Sequence, residues 1–274
     1  MVVDFHTHIF PDKIAPKALS FLSENCGQEP AIDGTARGLL ALMEESGIDV
    51  SVVLPVLTDP RQFGSAFRFA VKINEENEDS LVRKRTGIIS FAGIHPDNQD
   101  IKEKIRSVAR EGIKGIKLHP CFQRVRIDDL RYLRIIEAAT EEGLIVLTHA
   151  GYDPSTPGEK WCTPDMILNV LRSVGPERLI LAHMGSNLNY QESYEKLCGQ
   201  DVYLDTAYCL MDISAELFVR MVQKHGADRI LFGSDCPFGQ PKAFREYLQQ
   251  MEGLSEEQKE LILGTNARRL LGLS

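Results

Sequence analysis

The sequence carries no excess of basic residues, no long apolar run and no closely spaced cysteine pair, and each absence removes a class of function. Lys and Arg total 31 against 39 Asp and Glu, a formal charge of -8, so phosphate backbones and anionic membrane surfaces find no net attraction here. Nucleic acid is not an expected partner. No apolar stretch reaches the length of a membrane span, and the opening Met-Val-Val-Asp-Phe-His enters a strand-like run without a basic leader. Neither insertion in a membrane nor export is expected. The cysteines at 26, 121, 162, 198, 209 and 236 form no CxxC motif and read as reduced thiols of a cytoplasmic protein. Glycine-rich phosphate loops are missing too, since neither GxGxxG nor GxxxxGK[ST] follows a strand-like run, which counts against an open doubly wound sheet.

What is present is a rhythm. Short Val/Ile/Leu-rich runs begin near Val2, Val50, Gly87, Ile113, Leu144, Arg178, Asp201 and Arg229, and longer amphipathic segments separate them. Runs that are apolar throughout suit parallel strands buried on both faces. Eight such repeats predict an α/β fold, a (β/α)8 barrel occupying residues 1–274 as one domain. Asp100, Asp128 and Asp212 are expected helix N-caps, with Gly at helix ends. The tail from Ser255, SEEQKELILGTNARRLLG, opens with a Ser-x-x-Gln capping pattern and predicts extra C-terminal helices across the barrel.

Six of the seven histidines (His6, His8, His95, His119, His149, His183) fall at C-terminal ends of proposed strands, and Asp235 takes the matching place after the eighth. In a closed parallel barrel these ends converge on the face where active sites form. His6 and His8 are two apart, so strand alternation aims both rings to one side, where they can share an ion with His149 and Asp235. Imidazoles with a carboxylate suit a divalent metal, zinc first. Each element also has a plain structural reading: His149 as a hydrogen-bonded strand end, Asp235 as a helix cap. Asp4 and Asp205 are expected to orient ligand rings. His225, before Gly226, is read as a structural cation at a helix C-terminus, and Cys236 as pocket wall.

DFHTHIF, GIKLHP, THAGYD, LAHMG, FGSDCPF and GTNARRLLG occur in order over the chain, and the set resembles the amidohydrolase superfamily. The closest likeness is to its amidohydrolase-related branch, which includes aminocarboxymuconate semialdehyde decarboxylase-like enzymes. The resemblance implies a metal held by His6, His8, His149 and Asp235, with Asp235 as general base and His183 orienting water or moving a proton. It leaves Lys117 open, either as an ammonium pairing with substrate or Asp235, or as a carbamate bridging a second ion held with His149 and His183. One ion is the first expectation. His119 and Lys117 are read as substrate contacts, and the GYDPSTPGEKWCTPD loop as a cover bringing Tyr152 and Trp161 to the substrate.

The expected activity is hydrolysis of an amide, ester or lactone-type bond in a small molecule by metal-activated water. The alternative is non-oxidative decarboxylation of an unsaturated or aromatic acid. A TatD-like phosphodiesterase and a barrel that binds metal without turnover rank lower. A homodimer is the default assembly.

Overall fold

The computed structural model describes residues 1–273. Its strands run β1 (Val3–Thr7), β2 (Val50–Val53), β3 (Gly87–Ser90), β4 (Ala92–Gly93), β5 (Gly115–Leu118), β6 (Ile145–Thr148), β7 (Leu179–Leu181), β8 (Tyr203–Asp205) and β9 (Ile230–Leu231). Neighbours pair in parallel throughout. β3 and β4 are two pieces of one strand around Phe91, whose N–H still donates to Val53 O on the β2 side. Three further bonds join first strand to last: Phe5 N to Phe232 O at 2.8 Å, Asp235 N to His6 O at 2.8 Å, and His8 N to Cys236 O at 2.7 Å. The result is the closed (β/α)8 barrel that the rhythm predicts.

Strand alternation sorts the apolar residues into two layers. Val3, Phe5, Val52, Ile145, Leu147 and Ile180 fill the barrel interior. Ile116, Leu118, Val146, Leu181 and Leu204 face outward against the helices, among them α2 (Ala36–Ser46), α3 (Phe63–Val82), α4 (Ile101–Arg110), α6 (Leu130–Glu141), α7 (Pro164–Ser173) and α9 (Ala215–His225). The other helices before the tail are α1 (Ala15–Cys26), α5 (Pro120–Gln123) and α8 (Tyr190–Lys196).

The tail folds as α10 (Pro241–Gln250), α11 (Glu256–Glu260), a π-helical turn (Leu261–Thr265) and α12 (Asn266–Leu271). Ser255 and Gln258 make the expected capping box. Ala267 and Leu271 of α12 join the interior cluster. Gly264 passes so close to β1 that a Cβ there would lie 2.0 Å from Met1 O, so the tail shuts the end of the barrel opposite the histidines.

Helix starts differ from the sequence reading. Asp100 stands at the start of α4 with φ 54° and makes no side-chain cap bond. Asp129, not Asp128, caps α6, because Asp128 is taken by Arg126 and Asn169. Ser214, not Asp212, caps α9. Glycines close α4, α6 and α9 at Gly112, Gly143 and Gly226, all with positive φ.

His225 is structural, but not as a cation. Its Nδ1 accepts from Gly199 N at 3.1 Å and its Nε2 donates to Val202 O at 3.0 Å. A second proton would break the first bond, and burial lowers the pKa to about 4.

Candidate metal centre

A bulge in β1 sets the site. Val3 pairs with Val50 and Asp4 with Ser51, yet Thr7 pairs with Val53, so three steps on one strand match two on its neighbour. Phe5 and His6 can therefore both serve the interior. The bulge also takes Asp4 away from the ring-orienting place expected for it. Asp4 turns to Ser234, taking Oγ at 2.5 Å and N at 2.9 Å, and so anchors the turn before Asp235 instead of a ligand ring. Burial raises the Asp4 pKa to about 7.

Asp205 does orient a ring. His6 Nδ1 donates to Asp205 Oδ2 at 2.8 Å, and His8 Nδ1 donates to Leu54 O at 2.9 Å. These acceptors fix the tautomers, leaving a lone pair on each Nε2. Both face Asp235 Oδ1, at 3.5 Å for His6 and 3.2 Å for His8. Burial pushes the Asp235 pKa up, but His6, His183 and His8 hold it well below the usual carboxylate range. Three electron-rich donor atoms within 4.8 Å of one another repel unless a cation lies among them, so this set fits a divalent ion.

Lys117 projects inward between the outward Ile116 and Leu118 and reaches His6 Nε2 at 3.0 Å. Burial lowers its pKa to about 8, despite the pull of Asp205 and Asp235. Burial first, then Lys117, lowers His6 to about 4. Asp205 stays below the ordinary range because His6, His183 and Lys117 outweigh the effect of burial.

His149 and His183 make a second pair. His183 Nδ1 donates to Ala207 O at 2.8 Å and His149 Nε2 donates to Tyr152 O at 3.2 Å. That leaves His149 Nδ1 and His183 Nε2 facing each other at 3.0 Å, a distance that calls for a shared proton or a cation between them. His183 and Asp235 both hold left-handed backbone, φ 55° and 66°, a cost of order 1–3 kcal/mol per residue that recurs where a side chain must be aimed.

His149 also belongs to a buried group with His119 and Asp153. His119 stacks on His149 at 4.5 Å between ring centroids, and its Nε2 lies 3.7 Å from Asp153 Oδ2. Its backbone is held by Gln123, a residue with no evident signal in the sequence. Gln123 Oε1 accepts from His119 N and the Tyr132 hydroxyl, while Nε2 donates to Leu57 O and Ile94 O. One amide thus joins the loops after β2, β4 and β5.

A cavity of about 550 Å³ opens beside His8 and His119. Its walls come from the β1–α1 segment, the loop after β2 and α3, with Phe10, Phe21, Phe69 and Phe122 prominent. Tyr152 and Trp161 are not in these walls. Tyr152 is exposed, and Trp161 gives its carbonyl to Ile127 N while its buried indole N–H has no partner among the described residues. Lys117 is not in these walls either. His95 sits outside them as well, accepting at Nδ1 from Asp97 N. Burial drives the Cys236 thiol pKa far up, as befits a packing residue.

A closed parallel barrel with His, His and Asp converging at its C-terminal rim defines a metal-dependent TIM-barrel protein. The family model described as Amidohydrolase matches residues 3–273, and the chain belongs to that family. No curated protein sequence matches it significantly. A TIM-barrel protein from Bordetella bronchiseptica superposes with a TM-score of 0.75 at 17% identity, covering 99% of this chain and 98% of the other. The 5-carboxyvanillate decarboxylase of Sphingomonas paucimobilis gives 0.69 at 14% identity, covering 100% and 99%. A dihydroxybenzoic acid decarboxylase from Polaromonas sp. JS666, solved with manganese and the inhibitor 2-nitroresorcinol, gives 0.67 at 17%, covering 99% and 97%. At such identities the likeness is one of fold. Among the described residues no helix is long and apolar enough to cross a membrane.

Proposed function

We propose that the chain is a metal-dependent carboxy-lyase, releasing carbon dioxide from an unsaturated or aromatic acid without oxidation. The observation that carries this is that His8, one of the His6–His8–Asp235 group, also lines a cavity with no Lys, Arg, Asp or Glu in its walls. A carboxylate concentrates its charge, whereas the charge on the breaking carbon–carbon bond is spread, so weakly polar walls favour departure of carbon dioxide. Two of the structural relatives above are decarboxylases by name, which supports this reading over the hydrolysis first expected from the sequence.

His6, His8 and Asp235 would hold the ion, with His149 as the further ligand read from the sequence. When bound, a divalent metal supplies positive charge that anchors the substrate's acidic end and offsets charge developing nearby. Zinc is the first choice from the donor types and manganese the second, with one ion favoured. His183 would hold a proton at Nε2 once His149 Nδ1, 3.0 Å away, is given to the ion, since its Nδ1 is engaged by Ala207 O. His119 would contact substrate from the cavity wall, and Lys117 would act as an ammonium donor once the ion takes the His6 Nε2 lone pair that it faces at 3.0 Å. The balance is simple: the carbon–carbon bond breaks, its electron pair stays on the substrate carbon, and a proton replaces the lost carboxylate.

The test supplies metal-loaded protein with a panel of unsaturated and aromatic acids, and separately with amides, esters, lactones and phosphodiesters. Carbon dioxide release without hydrolysis is the expected result. Hydrolysis without carbon dioxide restores the hydrolase reading, and metal binding without turnover of any panel member leaves a binding barrel.

A further inference from the structure

We infer that the substrate carries an extended, uncharged apolar body in addition to its reacting acid group, and that this body lies in the cavity between α1, the loop after β2 and α3. The inference rests on the carboxy-lyase reading only for the nature of the polar end.

The cavity, at about 550 Å³, is well inside the range of roughly 300–1,000 Å³ that accepts ligands of drug size. No Lys, Arg, Asp or Glu lines it. Its few polar groups are already engaged. Gln62 Oε1 accepts from Thr58 N at 2.8 Å and Asp59 N at 3.2 Å, and Ser65 Oγ donates to Gln62 O at 2.9 Å. Leu54 O takes the His8 ring and Leu57 O takes Gln123. Other polar functions sit at one end, where His8 Nε2 faces the proposed ion beside Asp235 and His119 Nε2 lies 3.7 Å from Asp153 Oδ2. Aromatic and aliphatic side chains make the rest, reaching an open rim where Ile14 and Phe21 are 50% and 55% exposed.

A ligand matching this wall has its acid at the histidines and hydrocarbon or aryl surface along Phe10, Leu22, Phe69 and Phe122. A charged tail there would lose hydration with no partner to replace it. A small polyhydroxylated ring would leave much of the apolar wall uncovered.

Calorimetric titration of the metal-loaded protein with ω-phenylalkanoates, from phenylacetate to 6-phenylhexanoate, tests the inference. Each added methylene is expected to tighten binding about fourfold until the cavity is full. An α,ω-alkanedicarboxylate of equal length should bind at least about tenfold more weakly than the phenyl acid. The Ala66→Arg variant, which places a cation on the α3 wall, should reverse that preference while far-UV circular dichroism and metal content stay unchanged. Affinity that ignores chain length, or a dicarboxylate that binds as well as the phenyl acid, overturns the inference. Carbon dioxide release is read separately. Chain-length-dependent binding without turnover removes the carboxy-lyase reading alone, and turnover of short polar acids without a chain-length gain removes this inference alone.

Discussion

Asp205 accepts a hydrogen bond from His6 Nδ1 at 2.8 Å, joining β8 to β1 across 199 positions of sequence. Its other oxygen accepts from His183 N and Ala207 N, at 2.9 and 3.0 Å. One buried carboxylate thus sets the tautomer of a proposed ligand and the strained backbone of a proposed proton carrier. Asp205→Asn should weaken metal affinity about 10–100-fold with the fold retained. Competition with a chelating dye measures it, and unchanged affinity would remove Asp205 from the site's support.

The proposed ligands and the proposed proton carrier should separate in their variants. His8→Ala and Asp235→Ala are expected to lose stoichiometric metal by elemental analysis. His183→Asn should keep its metal and lower kcat by about 100-fold or more, the usual contribution of a positioned proton donor. Loss of half the metal in His183→Asn would instead point to the two-ion arrangement.

Gln123, which holds the backbone of His119, offers a stability test. Gln123→Leu strands the carbonyls of Leu57 and Ile94, the N–H of His119 and the hydroxyl of Tyr132. With about 1–3 kcal/mol for each buried group left unpaired and incomplete additivity, a loss of at least about 3 kcal/mol is expected. The urea midpoint reads this directly, and a change below about 1 kcal/mol would mean the loops are held by other contacts.

His225 makes stability depend on pH in a defined direction. Its folded pKa of about 4 lies below the ordinary 6.5, so the unfolded chain takes up a proton first as pH falls. The stability it contributes is complete above about 6.5 and is lost on the way down to 4. Between pH 7 and 5 the advantage of wild type over His225→Gln should shrink by about 2 kcal/mol. Parallel denaturation curves at the two pH values supply the measurement, and a constant difference would show that folding does not shift the His225 pKa.

Much of this protein is legible in its residues one by one. Buried parallel strands must be apolar on both faces, so VSVVLPVL and LIVLTH declare themselves, and Ser255 with Gln258 announces a helix start. The caps at Asp129 and Ser214 do not. Several Asp and Ser residues near each start can cap equally well, and side-chain partners such as Arg126 and Asn169 decide which is free. The β1 bulge is equally silent, because a one-residue slip in register leaves no mark on composition, yet it separates Asp4 from the phase of His6. His225 shows the same limit, since the helix end favours a cation while Gly199 and Val202, met only in the fold, require a neutral ring.

Residue type by itself determined which chemistry was available: imidazoles and a carboxylate at strand ends, and no surplus of cations for a polyanionic partner. The tertiary structure alone decided where the lone pairs point, which carboxylate steadies which ring, and that phenylalanines from α1, α3 and α5 meet around an apolar hollow. The physical reason is that a side chain's donors are local properties, whereas the direction of a hydrogen bond and the shape of a void arise only when distant strands close on one another.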